Sequence, residues 1–322
     1  MQPSQGGNKQ LSPAMRKRIL MLCALACVLI MVISGGQIVS YYSDYFSAEQ
    51  ASDELRAAYY EQMEEESAVP PTPTPTPTPA LTATLAPEDT PVPTATPKVL
   101  LEAVKYPNNP FSTVRSRFKT IKRQNSDIIG WLKIDGFLDE AVVQRDNSYY
   151  LARDYRGYHN SNGALFLDEE CDLSTRPYTL MIYGHNMKTG AMFGCLRNYV
   201  YLYFYKENPF ITFDSAYEDG RYVIVAVGNI STDVNHWTFV NFASLLSNRI
   251  SQREAALKTL MNRSIFGHDI EVTAEDQLLI LLTCVGDETE RRVVVARRVR
   301  EHESEEDLQR LVYRSWEKQK LN

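Results

Sequence analysis

The chain has 322 residues, of which 44% are hydrophobic and 23% charged, and a formal net charge of -6. It is too apolar to be disordered throughout and long enough for one well-buried domain of roughly 200 residues with extensions. The acidic balance excludes the basic footprint a nucleic-acid binder needs to displace counterions from phosphates, so no nucleic-acid partner is expected.

Residues 19–39 read ILMLCALACVLIMVISGGQIV without a charge. As a helix they span about 31 Å, close to the hydrocarbon thickness of a bilayer. Arg16, Lys17 and Arg18 abut the start of this run and favour a cytoplasmic tail at residues 1–18, a single-pass anchor at 19–39 and an extracellular remainder. A cleaved signal peptide is the competing reading, but the run is too long for a signal-peptide core and no clean small-x-small site follows it. Residues 40–69 read as an amphipathic juxtamembrane segment. Residues 70–98 are Pro/Thr-rich and hold ten of the sixteen prolines. Such a tract buries no core and favours extended polyproline II, reaching roughly 85 Å as a stalk.

Globular composition begins at about residue 100, and 100–322 is taken as one domain. Ser112 is a plausible N-cap for a helix carrying Val114, Phe118 and Ile121 on one face. Strand-like runs then dominate: WLKI, EAVVQ, GALFL, YTLMIYG, RYVIVAVG, QLLILLT and RRVVVARRV are short, β-branched or aromatic, and separated by Gly, Asn and Asp. The fold class is mainly β, with seven or eight strands in a closed or nearly closed barrel. Two more helices are expected, one over residues 241–262 and one from a capping box at Ser304 and Asp307 through Leu308, Leu311, Val312 and Trp316.

Five cysteines occur, Cys23 and Cys27 in the apolar run, then Cys171, Cys195 and Cys284, with no CxxC pair. The odd number beyond the apolar run leaves at least one free thiol, which outside the cytoplasm is an accident or a nucleophile. Cys284 ends the strand QLLILLTC before a polar turn and is the candidate nucleophile; Cys195 is the fallback, and a Cys171–Cys195 disulfide is an open alternative. Among five histidines, His185 stands out because it follows YTLMIYG directly, at a strand exit beside a glycine. His159, His268 and His302 read as solvated surface residues, and His236, beside Trp237, as a packed or rim residue. After the turn, RRVVVARRV returns as a strand and brings Arg291 or Arg292 near Cys284, where a permanently charged fork of donors suits a developing oxyanion. Alternation leaves both open, since Arg291 shares a face with Val293 and Val295, and Arg292 with Val294 and Ala296. Arg297, Arg298 and Arg300 read as solubilising charges on an edge strand. The acidic residues Asp168, Glu169, Glu170 and Asp172 lack a calcium-loop pattern and read as a solvated turn, so neither metal nor cofactor is expected.

YGHNM, LLTC and a following R-x-V-V-x-A-R strand, in that order, resemble the sortases. From about residue 110 to 300, DIIGWLKIDG, AVVQRDNSYYL, GALFLD, TLMIYGHNMKTGAMFG, the 237–242 stretch and RSIFG…LLILLTC resemble segments of class B sortases in family order. The resemblance implies the sortase β-barrel with amino-terminal helices and an inserted helix. It implies a cysteine transpeptidase that cleaves a sorting-signal peptide after its threonine, and passes the acyl group to an amine on a cell-wall precursor or a pilin lysine. His185 and Cys284 carry over directly, and Arg291 fits the strand register better than Arg292. Two rivals remain. A papain-like or NlpC-type hydrolase places its cysteine before its histidine, at a helix start, against the order found here. A stalked adhesion or sensor domain would leave Cys284 incidental.

Overall fold

A computed structural model of the chain describes residues 13–68, 114–173, 175–285 and 287–318. The expected stalk at 70–98, the first part of the cytoplasmic tail and the Ser112 cap lie outside the described residues. The chain divides into two compact units, Met1–Gln50 and Ala51–Asn322. In the first, α1 (Pro13–Ala68) begins; it is the one helix among the described residues long and apolar enough to cross a membrane, and side chains such as Leu20, Leu22 and Val32 are exposed along it.

The second unit has ten strands among the described residues, β1 (Ile128–Ile134), β2 (Leu138–Val143), β3 (Leu165–Leu167), β4 (Thr179–Tyr183), β5 (Phe210–Ser215), β6 (Arg221–Ser231), β7 (Phe266–Gly267), β8 (Leu278–Val285), β9 (Asp287–Arg298) and β10 (Trp316–Glu317). Eight of them close a barrel in the order β1-β2-β3-β4-β8-β9-β6-β5, while β7 and β10 form a separate pair. Neighbours are antiparallel except β2 with β3 and β4 with β8. Long apolar runs such as residues 222–227 and 278–282 are buried throughout, as expected for strands packed on both faces. β5 is the barrel strand the sequence reading missed, and the short β7 and β10 were missed with it. The β5 run FITFDS carries only three apolar residues, and Gly220 and the hairpin pairing with β6 hold it in place.

The helices are α2 (Ser116–Ile121), α3 (Leu202–Glu207), α4 (Ala243–Leu246), α5 (Ile250–Arg263) and α6 (Glu305–Tyr313). The single helix expected over 241–262 is broken at Ser247, where the backbone is extended, the Ser247 hydroxyl accepts from Arg249 N at 3.2 Å and the Ser247 carbonyl accepts from Arg253 Nη1 at 2.9 Å. Serine offers the backbone a local alternative to the helical ladder. The capping box of α6 is present, with Asp307 N donating to Ser304 Oγ at 3.1 Å, but Trp316 falls beyond the helix in β10.

Residues 51–68 are more than a juxtamembrane spacer. Ala51, Leu55 and Tyr59 recur at intervals of four, so one helix face carries them against Phe118, Ile121, Trp131 and Tyr155. Tyr59 stacks on Trp131 with ring centroids 4.3 Å apart. Its hydroxyl donates to Asp214 Oδ2 at 2.9 Å, and Arg117, 3% exposed, pairs with Asp214 at 3.4 Å, with Glu66 at 3.6 Å and with Asp219. Burial pushes the Asp214 carboxyl up to about 6, assisted by the charge of Asp219 and opposed by Arg117.

The arginines read as edge-strand solubilisers are structural. A closed barrel has no edge, and β9 lies between β8 and β6. Arg297 is fully buried, donates to the Glu271 carbonyl at 2.9 Å and forms a two-pronged pair with Glu303 at 2.6 and 2.7 Å. Arg298 pairs with Glu218, and Arg300 with Asp276 and Glu271.

Candidate active site

Three neighbouring strands, β4, β8 and β9, set the candidate residues. β4 and β8 run parallel, with Tyr183 opposite Leu282, and one more hydrogen bond, from Gly184 N to Leu282 O at 3.2 Å, carries the pairing past the end of β4. Extending that register by two residues brings His185 level with Cys284. On the other side of β8 the pairing is antiparallel, and Cys284 lies directly opposite Arg291. The ladder is interrupted immediately afterwards, between Cys284 and Val285, at the turn into β9. The backbone therefore brings His185, Cys284 and Arg291 together from positions far apart in sequence.

His185 is half-buried, and its Nε2 lies 2.7 Å from the Leu151 carbonyl. A carbonyl can only accept, so that contact fixes the proton on Nε2 and leaves Nδ1 as the other ring nitrogen. Gly163, at φ +62°, allows this approach: a Cβ there would meet the carbonyls of Tyr150 and Leu151 at 2.7 and 2.9 Å and the His185 ring at 3.0 Å. The carbonyl of His185 accepts from Phe193 N at 2.9 Å, closing the loop 186–192 on itself.

Arg291 and Arg292, which alternation leaves undecided, have different surroundings. Arg291 is half-buried at the strand end, with Nη1 donating to the Glu290 carbonyl at 3.0 Å. Arg292 is 9% exposed, and its guanidinium donates to Asn229 Oδ1 at 3.1 Å and to the Arg197 carbonyl at 3.2 Å. Burial holds the Arg292 pKa below the usual guanidinium value.

The other candidates are placed elsewhere. Cys171 and Cys195 are both free and buried, so no disulfide joins them. Burial pushes each thiol up to about 12, which removes Cys195 as a nucleophile at neutral pH. His159 and His302 are exposed, as expected of surface residues, and His236 is exposed with Nδ1 2.7 Å from Thr238 Oγ1. His268 is not solvated: its ring is half-buried against the Val225 carbonyl, and burial lowers its pKa. Asp168 is likewise buried, accepting from the Tyr183 hydroxyl at 2.7 Å and from Asn147 at 3.2 Å, because it directly follows β3, the neighbour of β4, and its N–H donates to the Met181 carbonyl of β4 at 2.8 Å. No group of three or more His, Cys, Asp or Glu residues arranged to hold a metal occurs among the described residues.

No protein-family model matches the chain. It is 28% identical to sortase B of Staphylococcus aureus over 190 residues, 58% of this chain and 75% of that one. It is 30% identical to a crystal structure from Bacillus anthracis described as similar to sortase B, with a TM-score of 0.51, covering 58% of this chain and 84% of the other. This chain belongs to the sortase B family. A further structure, of a sortase B complexed with triglycine, is 27% identical with a TM-score of 0.51 over 59% of this chain and 87% of that one. The eight-stranded closed barrel is the sortase fold, and the chain is a cysteine transpeptidase of the sortase type. Its amino-terminal apolar helix fits a membrane anchor.

Sequence reasoning missed the Leu151 carbonyl, which no side-chain pattern can announce, and it missed Arg197. The latter had a signal: the one charged residue in the run MFGCLRNYV, directly after the histidine loop.

Proposed function

We propose that this sortase cleaves a sorting-signal peptide after threonine, holds the acyl group as a thioester on Cys284 and transfers it to an amine, attaching surface proteins to the cell wall or a pilus. The observation that carries the reading is the strand register: His185 level with Cys284 on one side, Arg291 opposite it on the other. In the first half-reaction the thiolate of Cys284 attacks the threonine carbonyl. A sulfur–carbon bond forms, the amide carbon–nitrogen bond breaks, and His185 as imidazolium gives its proton to the departing amine. Arg291 faces the oxyanion that develops between these events. In the second, the acceptor amine attacks the thioester, the carbon–nitrogen bond is remade, the thiolate leaves and the amine's proton passes to His185. One amide is exchanged for another, so no nucleotide is needed outside the cell.

Support for Arg291 over Arg292 comes from the surroundings of the latter, because the Arg292 guanidinium is committed to Asn229 and the Arg197 carbonyl. A triglycine acceptor suits the amine step, given the triglycine complex of a related sortase B. The test is a cleavage-and-transfer assay with a threonine-containing sorting peptide and triglycine as acceptor: wild-type protein forms the joined product, and Cys284→Ala does not. Transfer by Cys284→Ala would remove the proposal.

In this reading the site lies outside the cell. With Arg16, Lys17 and Arg18 flanking the span, residues 1–18 are assigned to the cytoplasm, 19–39 to the bilayer, 70–98 to a stalk and 100–322 to the catalytic domain. Protease shaving of intact cells is expected to release the barrel; cleavage confined to the amino terminus would reverse the orientation.

A further inference from the structure

One side chain reaches four acceptors in and beside the loop that follows His185. Arg197 lies in the 3₁₀ segment Phe193–Val200, and its guanidinium turns back onto the loop. Nε donates to the Gly194 carbonyl at 2.8 Å, Nη1 to the Lys188 carbonyl at 3.5 Å, and Nη2 to Asn186 Oδ1 at 3.3 Å and to the Met187 carbonyl. Four acceptors within nine residues of His185 thus converge on a single planar donor group, a geometry that a flexible ammonium does not reproduce. Gly194 permits the convergence, since a Cβ there would lie 2.3 Å from the Met187 carbonyl. Met192, the one non-glycine residue with positive φ among the described residues, at +50°, holds a backbone conformation that costs free energy unless its surroundings enforce it.

The main chain of Arg197 is fixed in turn. Its carbonyl accepts from Arg292 Nη1 at 3.2 Å, and Arg292 is anchored by Asn229 of β6 and follows Arg291 on β9. A continuous path therefore runs from Asn186, next to His185, through the Arg197 side chain and carbonyl to Arg292, next to Arg291. It ties the loop carrying the histidine to the strand carrying the arginine, across the end of β8.

We propose that Arg197 is a positioning residue, which with Arg292 sets the distance and ring orientation of His185 relative to Cys284; the inference rests on the catalytic assignment made above. Arg197 touches no reacting atom in this scheme. Its effect is exerted through the loop, and a displacement of about 1 Å in a reacting group can cost on the order of 10²-fold in rate.

The test uses full-length protein in detergent and iodoacetamide as the probe, with peptide mapping by mass spectrometry to follow Cys284 alone. The rate of Cys284 alkylation is measured from acid to alkaline pH. His185→Ala sets the limit in which the imidazole no longer assists the thiol. Arg197→Ala is expected to move the profile towards that limit and to lower the rate at neutral pH by roughly 10-fold or more, with Arg197→Lys in between. Guanidinium added at millimolar concentration is expected to restore part of the Arg197→Ala rate. Tyr59→Phe, in the seam against Trp131 and Asp214, is a stability control, expected to lower the melting temperature without moving the profile. An Arg197→Ala profile that coincides with wild type, or a loss no greater than Tyr59→Phe produces, overturns the inference while leaving the catalytic assignment standing. A His185→Ala profile that coincides with wild type overturns the assignment itself.

Discussion

The seam between residues 51–68 and the barrel and the strand-end rim around Cys284 are both polar, yet they are built differently. At the seam, Tyr59 is 2% exposed, Arg117 and Asp214 are buried, and the charges are matched within one cluster backed by stacked aromatic rings. At the rim, His185 and Arg291 are only half-buried, and His185 is oriented by a main-chain carbonyl instead of a charged partner. The seam uses buried, mutually satisfied polar groups to fix one geometry, whereas the rim keeps its ionisable groups accessible and gives the task of fixing them to neighbours such as Gly163 and Arg197. Substitutions at the rim should therefore cost rate with little stability, and those at the seam stability with little rate.

The largest separation is expected for the nucleophile and base. Cys284→Ala should abolish cleavage and transfer, and His185→Ala should come close, because the leaving amine must be protonated. Cys171→Ala and Cys195→Ala should retain most activity, since both thiols are buried in the core. Arg291→Lys should lower turnover by about 10²- to 10³-fold, the usual cost of one oxyanion donor, and Arg292→Lys far less. Steady-state kinetics on folded protein checks each, and a reversal of the two arginine results would put the catalytic register one residue further along β9.

At the seam, a chain beginning at residue 100 lacks Leu55 and Tyr59, whose full burial is worth about 1.5–3 kcal/mol each. It should unfold at several kcal/mol less than a chain beginning at residue 41, as read by denaturant titration, while its folded fraction keeps the thiol reactivity of Cys284. Equal stability of the two chains would make residues 51–68 a spacer. The smallest effect concerns pH. Asp214 holds its proton more tightly in the folded than in the unfolded chain, with a carboxyl raised to about 6 by burial. Between about pH 4 and 6 the folded state binds more protons, so this group's contribution to stability declines as pH rises through that window. Asp214→Asn should flatten that decline, and an unchanged slope would locate it in other groups.

Much of this division was legible in the sequence. The order of the segments identified the barrel and the family resemblance, and strand-exit positions made His185 and Cys284 the candidates that the β4–β8 register brings level. The choice between Arg291 and Arg292 was not legible from alternation, because both faces of β9 are apolar; it needs the β8 pairing and the Asn229 and Arg197 partners of Arg292. Arg297 was misread for a related reason: an arginine-rich strand looks like a solvated edge until barrel closure gives it neighbours on both sides and Glu303 reaches it from the α6 approach. Residues 40–69 read as an amphipathic juxtamembrane segment, but that Ala51, Leu55 and Tyr59 pack on the barrel was not legible, because the partner surface, Trp131 and Phe118, lies far along the chain. Leu151 meets the His185 ring through a main-chain carbonyl, which leaves no side-chain signature, and most of the acceptors of Arg197 are carbonyls too, so its arginine is visible in the sequence but its target is not.

The central claim, that Cys284 is the acyl carrier, is tested most directly by mass spectrometry of the acyl-enzyme trapped in intact cells that lack a competing amine acceptor. The account predicts one adduct, on the peptide containing Cys284, whose acyl chain ends in threonine and which is released by hydroxylamine as a thioester. An adduct on Cys195, or none in a protein that still joins peptide to triglycine, would contradict it.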